Sequence, residues 1–272
     1  MVETAPLVVS NLVKAYTKSN GGNVFAVNGI SFSVSPGECF GLLGPNGAGK
    51  STTIDCITGF YPATSGEVLI DGVNVHQDPK RARQQLGVCA QDDTLDSDFD
   101  LIDQMTRYAR FFRIPYAEGR LRAEKLLKKF GLEAKSRELV SSLSGGMRRK
   151  LQVARALITE PKVLVLDEPT TGLDPDARRM LWDVLGEERK RGTAILLSTH
   201  YMDEAERLCD RIGMLDEGKL LDIASPAMLI QKYVSEPVIA EEIRPGVVWK
   251  RAANLEDVFL KLTGHRLGDA TT

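Results

Sequence analysis

One octapeptide limits the possible folds of this chain more than anything else in it. Gly44-Pro45-Asn46-Gly47-Ala48-Gly49-Lys50-Ser51 matches G-x-x-x-x-G-K-[S/T]. The short apolar run Cys39–Leu43 precedes it, and a helical stretch from Lys50 to Gly59 follows. An unbroken run of that length suits a strand buried on both faces of a parallel sheet. The glycines let the backbone wrap an anion, with N–H groups and a helix N-terminus facing negative charge. Lys50 would reach the β- and γ-phosphates of a nucleotide, and the Ser51 hydroxyl would ligate Mg²⁺.

The rest of the chain alternates in the way such a loop requires. Leu7–Tyr16 and Phe25–Val34 read as strands joined by a Gly-rich turn at Ser19–Asn23. Glu67–Asp71 is a further strand, closed by a turn at Asp71–Gly72. The middle is helical: Ala123, Leu126, Leu127 and Phe130 make one stripe in Arg120–Gly131. After Gly146, Met147, Leu151, Ala154 and Ile158 make another. Val163–Leu166 is an apolar strand, and Asp174-Pro175 caps a helix that buries Ala177, Met180, Leu181, Val184 and Leu185. Ile195–Thr199 is the next strand, and Ile212–Asp216 with Lys219–Asp222 reads as a hairpin. Alternating strands and helices imply a mostly parallel α/β sheet. From Ser225 the texture changes to a short helix (Pro226–Tyr233), strand-like stretches at Val238–Ala240 and Val247–Trp249, and a last helix from Asn254.

Four further features bear on the loop by inference. Asp167-Glu168 ends the strand Val163–Leu166, and ligands in open α/β sheets bind at the carboxyl ends of strands. Asp167 suits an outer-shell contact to Mg²⁺, and Glu168 suits a general base on the attacking water. His200, after Ser198-Thr199, stands at a third strand end, within reach of a γ-phosphate. Gln91 follows the apolar Leu86–Ala90 and could reach Mg²⁺ or that water. Leu143-Ser144-Gly145-Gly146-Met147 puts a Ser and two glycines at a helix start. This is either a simple cap or a second anion-binding helix terminus. The loop already serves one nucleotide, so a second phosphate-reading element would suggest a second chain.

Composition excludes several classes. Among 272 residues, 35 Lys+Arg against 37 Asp+Glu give a formal charge of −2, which argues against a broadly cationic nucleic-acid binder. No apolar run approaches the roughly 18 residues of a membrane helix, and the acidic start at Glu3 is unlike a signal peptide. Cys39, Cys56, Cys89 and Cys209 form no CxxC pair and read as reduced, buried small hydrophobes.

Taken together, the motifs resemble the ATP-binding cassette family, the nucleotide-binding subunits of ABC transporters, from about Leu7 to Asp222. Gly44–Ser51, with Thr52, is similar to its Walker A loop, and Val163–Asp167 to its Walker B strand. Glu168 matches the catalytic glutamate, Gln91 the Q-loop, Gly172-Leu173-Asp174 the D-loop and His200 the switch histidine. Leu143–Met147 resembles the signature LSGGQ, with Met147 in place of Gln while Ser144, Gly145 and Gly146 are intact. Tyr16 is the candidate for the aromatic that stacks on adenine, with Phe25 as its rival.

The resemblance implies an α/β P-loop NTPase with a RecA-like core sheet, an antiparallel β subdomain and an inserted α-helical subdomain. It places the cassette at 7–225, the helical subdomain at about 92–160 and a small C-terminal appendage at 226–272. It also implies an ATPase using ATP and Mg²⁺, in which Ser144–Gly146 act in trans in a head-to-tail pair, expected to be a homodimer. The run His200–Glu206, followed by Leu208-Cys209-Asp210-Arg211, resembles the DrrA/NodI-type exporter branch, related to the ABCA lipid exporters, and Leu255–Leu260 with Leu262-Thr263-Gly264 supports this. Such subunits pair with a separate integral-membrane permease, sit peripherally on the cytoplasmic face of the inner or plasma membrane, and serve drugs, lipids or lipid-linked sugars. Asp92–Asp100 would face the permease. The alternatives are an importer ATPase and a soluble ABC ATPase. The two-cassette chains of translation factors and the long coiled coils of DNA-repair members are both missing from the sequence.

Overall fold

Strict alternation along three short strands divides the core into two layers. In Cys39–Leu43, Cys39 and Leu43 face one hydrophobic layer while Phe40 and Leu42 face the other. In Val163–Asp167, Leu164 and Leu166 take the first layer and Val163 and Val165 the second. Ile195 and Leu197 against Ala194 and Leu196 repeat the pattern. A period of two with both faces apolar is what a parallel sheet covered on both sides demands.

The computed structural model describes residues 5–18, 21–235, 238–244 and 247–264, so Ser19 and Asn20 of the expected turn and residues 265–272 lie outside the described residues. In chain order the elements are β1 (Leu7–Thr17), β2 (Asn23–Val34), β3 (Cys39–Leu43), α1 (Lys50–Ile57), β4 (Ser65–Ile70), β5 (Val73–Asn74), α2 (Pro79–Arg83) and β6 (Leu86–Cys89). Next come α3 (Leu101–Phe111), α4 (Tyr116–Lys129), α5 (Gly145–Ala156), β7 (Val163–Asp167), α6 (Pro175–Lys190), β8 (Ala194–Thr199), α7 (Met202–Leu208), β9 (Arg211–Asp216) and β10 (Lys219–Ala224). The chain ends with α8 (Pro226–Tyr233), β11 (Val238–Arg244), β12 (Val247–Ala252) and α9 (Leu255–Thr263).

The central sheet has the order β10-β9-β3-β8-β7-β6, parallel except for the β9–β10 hairpin. An antiparallel sheet, β2-β1-β4-β5, packs over the layer that holds α1. Phe32 of β2 stacks on Phe40 of β3 with centroids 4.7 Å apart, joining the two sheets. The other layer is filled from α3, α4, α5 and α6, and it also receives Leu229, Leu255, Val258 and Phe259 of the C-terminal helices.

Two helix boundaries differ from the sequence expectation. α4 starts at Tyr116 rather than Arg120, because Pro115 provides its N-cap and Gly119 lets it approach α3 closely. A Cβ on Gly119 would sit 3.1 Å from the Ala109 Cβ. α5 ends at Ala156, so Ile158 is buried beyond the helix rather than on its face.

Candidate functional site

Because β3, β6, β7 and β8 are parallel, their carboxyl ends share one edge of the sheet. Gly44 follows β3, Gln91 lies just past β6, Asp167 ends β7 and His200 follows β8. The topology thus gathers residues that are far apart in sequence. A cavity of about 360 Å³ opens there, lined by Ala26, Asn46, Gly47, Gly49, Lys50, Ser51, Thr52, Gln91, Glu168 and His200.

The phosphate loop is held by close backbone approach. A Cβ on Gly44 would lie 2.2 Å from the Leu215 carbonyl oxygen, and one on Gly49, at φ +104°, 2.3 Å from that of Ala26. No other residue type fits either position. Lys50 is buried and donates to the carbonyls of Gly44 (2.8 Å) and Pro45 (3.0 Å). Burial pulls its pKa below the ordinary lysine value, and the carboxylates of Glu168 and Asp167 oppose that shift.

Glu168 is buried with a left-handed backbone, φ +49°. Such a conformation costs a residue with a Cβ about 1–3 kcal/mol. Its N–H donates to the Ser198 carbonyl at 3.1 Å, and its Oε1 lies 3.0 Å from His200 Nδ1. Asp167 is buried behind it, its carboxylate accepting the Ser198 hydroxyl. Carboxylate, imidazole and ammonium thus converge on one cavity, with the main-chain N–H groups of a loop and a helix N-terminus beside them. That set can bind a polyphosphate and abstract a proton from water at its end.

Tyr16 does not line this cavity. It is 42% exposed on β1, with the Lys14 ammonium 5.0 Å from its ring centroid. Thr52 of α1 lies close enough to act on its phenol, whose pKa burial and Cys56 raise above the usual value. Phe25, on the paired strand β2, is 48% exposed. Ser144 caps α5, accepting from the Met147 N–H at 3.3 Å, and Asp174 caps α6, accepting from Ala177 N–H at 2.8 Å. Ser144, Gly145, Gly146 and Asp174 stand apart from the residues that line the cavity.

A larger cavity, about 520 Å³, lies at the amino ends of β7 and β8, near Lys129, Lys162, Glu188 and Arg191. Four of the five cations that line it are paired within the chain: Lys129 and Arg191 with Glu188 at 2.9 and 3.1 Å, Lys162 with Asp71 at 2.8 Å and Arg122 with Glu160 at 3.3 Å. The smaller cavity, not this one, is lined by the Gly-rich loop and the start of α1, the elements that turn N–H groups toward an anion.

Sequence reasoning assigned no role to three residues at this edge. Ala26 meets the loop through its backbone. Ser198 had a visible signal, a hydroxyl two residues before His200 at a strand end. Arg149 had none, standing between Arg148 and Lys150 with only the helical phase to separate them. Of Arg148, Arg149 and Lys150, Arg149 alone is buried.

A phosphate loop between β3 and α1, with Asp167 and Glu168 ending a neighbouring parallel strand, defines a P-loop NTPase. The family model described as "ABC transporter" matches residues 27–171. The "Nod factor export ATP-binding protein I" of Burkholderia orbicola (strain AU 1054) is 39% identical, over 98% of this chain and all of the relative. A solved "ATP binding subunit of ABC transporter" is 30% identical and superposes with a TM-score of 0.81 over 94% of this chain and 99% of its own. A dimeric post-hydrolysis state of the cassette MJ0796, bound to ADP and Pi, is 25% identical, with a TM-score of 0.74 over 80% of this chain and 98% of its own. This chain belongs to the ABC transporter family and is its ATP-binding, ATP-hydrolysing subunit. No helix among the described residues is long and apolar enough to cross a membrane.

Proposed function

We propose that this chain energises an exporter, hydrolysing ATP at the cytoplasmic face of the inner or plasma membrane for a separate integral-membrane permease. The cargo class is a drug, a lipid or a lipid-linked sugar. The similarity to a Nod factor export ATP-binding protein over 98% of this chain supports export. We assign the cassette to 7–225, its helical subdomain to about 92–160 and an appendage to 226–272. Packing of α8 on α9, and of α9 on α7, supports the appendage as a unit set on the core. Asp92–Asp100 is the proposed permease-facing segment.

The observation that carries the hydrolytic mechanism is the 3.0 Å contact between Glu168 Oε1 and His200 Nδ1 on the rim of the loop cavity. Gly44–Thr52 hold the triphosphate through backbone N–H groups, and Lys50 neutralises its outer phosphates. Tyr16 stacks on the base. Glu168 takes the proton of the attacking water, oriented by His200, and Gln91 positions that water. The Ser51 hydroxyl, the Gln91 amide and the Asp167 carboxylate are hard oxygen donors of the kind Mg²⁺ takes. Ser51 and Gln91 line the same cavity, and the Asp167 carboxylate, fixed by the Ser198 hydroxyl, stands outside its lining as an outer-shell contact would, so the ion fits there. When bound, it offsets the charge developing between the β- and γ-phosphates. Ser144, Gly145, Gly146 and Asp174 act on the ATP of a second copy, closing the site against water.

Glu168→Gln tests the mechanism. It should bind ATP, dimerise and lose turnover by about 10²–10⁴-fold, whereas a normal rate would remove Glu168 as the base. The transport reading is tested by affinity purification from detergent-solubilised membranes. An integral protein of several spans should co-purify, and its absence would count against this reading.

A further inference from the structure

α5 carries more than the signature at its N-terminus. Arg149, Gln152 and Arg155 project from one side of it onto the segment that follows β6. Gln152 Nε2 donates to the Asp92 carbonyl at 3.1 Å and to Asp93 Oδ1 at 3.2 Å, and Arg155 Nη1 donates to the Thr94 carbonyl at 2.8 Å. Arg149 is buried, and all five of its N–H donors are used. Nη1 donates to the Ala90 carbonyl (2.5 Å) and to Gln152 Oε1 (2.8 Å). Nη2 donates to the carbonyls of Asp167 and Glu168 (the latter at 3.0 Å), and Nε to that of Pro169 at 3.3 Å.

Those carbonyls are not scattered. Ala90 is the residue before Gln91, and the other three bracket Glu168 in its left-handed turn. The Glu168 N–H is fixed from the other side by Ser198. One guanidinium therefore sets the backbone from which both the Gln91 and Glu168 side chains project. It sits only about 6 Å along the helix axis from Gly145, at 1.5 Å rise per residue. A tilt of α5 that seats the signature must also move the Arg149 fork.

We propose that Arg149 is a positioning residue for hydrolysis, coupling the signature end of α5 to Gln91 and Glu168 of the same chain. This rests on the roles proposed above for those two side chains. Lysine cannot substitute, because an ammonium has three donors and no planar fork with which to span four carbonyls.

Arg155 is the internal control. It is buried on the same helix, and among the described residues it hydrogen-bonds only Thr94 and lies 4.8 Å from the Tyr108 ring centroid, with no bond to the backbone that carries Gln91 or Glu168. Arg149→Met, Arg149→Lys and Arg155→Met are compared by steady-state ATPase kinetics, by the Kd for a fluorescent ATP analogue and by thermal melting. Misplacing reacting groups by about 1 Å costs on the order of 100-fold in rate. Arg149→Met and Arg149→Lys should therefore lose roughly that factor in kcat, with KM and analogue Kd little changed. Arg155→Met should melt earlier yet keep its kcat. The proposal is overturned if Arg149→Met keeps its kcat, if KM rises in step with the loss, or if Arg155→Met loses as much. Should Arg149→Met not fold, Arg149→Gln is judged by the same criteria, and failure of both to fold overturns the proposal in favour of a purely structural arginine. Failure of the underlying reading looks different: Glu168→Gln would then turn over normally, whatever Arg149 does.

Discussion

Two parts of the molecule are proposed above to meet the phosphates of ATP, and they differ in how far the chain completes them. At the carboxyl edge of the sheet, Lys50 and Glu168 are 5% and 8% exposed and are held by bonds to Gly44, Pro45, Ser198 and His200. At the N-terminus of α5, Ser144 and Gly145 are exposed, and a Cβ on Gly145 would meet nothing within 4 Å. Ser144 uses one lone pair to cap Met147, which leaves its hydroxyl proton free to donate. The first region is preorganised from within, so its electrostatics are set before ligand arrives. The second presents a helix dipole and free N–H groups outward. On the function proposed above, one is a finished half-site and the other is the complement of a half-site, which would account for a single chain carrying both.

The sharpest way to break that contrast is to cripple each region in a different copy. Lys50→Ala and Gly145→Asp should each lower ATP turnover by about 10²–10³-fold alone, the usual cost of losing one charge-stabilising group. Mixed, they should regain activity, because one of the two composite sites then combines the intact loop of one copy with the intact signature of the other. If mixing restores nothing while both variants remain folded, the signature serves its own chain and the contrast collapses. A smaller effect separates Tyr16 from Phe25 on the adenine side. Stacking on an aromatic ring is worth about 1–3 kcal/mol per base, so Tyr16→Ala should weaken ATP binding by roughly tenfold and Phe25→Ala should not. Titration with a fluorescent ATP analogue decides, and the reverse ranking would transfer the role to Phe25.

The sheet was legible because continuous apolar runs such as Val163–Leu166 and Ile195–Leu197 have few alternatives to a doubly covered parallel strand. From parallel strands it follows that Gly44, Asp167, Glu168 and His200 share an edge, and the structure brings them to one edge. What escaped was everything whose cause is tertiary. α3 received no specific expectation because it buries Gln104 and Thr106 beside Leu101 and Met105, diluting its apolar stripe. Its start did carry a signal, the Asp100 cap that accepts from Asp103 N–H at 2.7 Å. The early start of α4 depends on Gly119 fitting against Ala109, which no local pattern encodes. The function of Arg149 depends on carbonyls contributed by two distant segments, and a run of three basic residues cannot announce it.

The smallest effect concerns how the edge is supported from behind. Glu204 of α7 is 2% exposed, and its Oε2 accepts the Thr199 hydroxyl at 2.6 Å, one residue before His200. Burial raises its pKa above the ordinary glutamate value, although Thr199, Thr170 and Trp182 partly offset this. A raised acid binds its proton more tightly in the folded state. Its contribution is thus fully present below the unfolded value and is lost as pH rises through the folded one. Glu204→Gln imitates the protonated form at every pH. It should therefore melt a few degrees above the parent at pH 8, and the gap should close as pH falls towards the ordinary glutamate range. A pH-independent gap, or destabilisation at pH 8, would mean that Glu204 is held as a carboxylate. The support behind His200 would then be electrostatic rather than a neutral hydrogen bond, making the finished half-site more dependent on buried charge than its loop contacts alone imply.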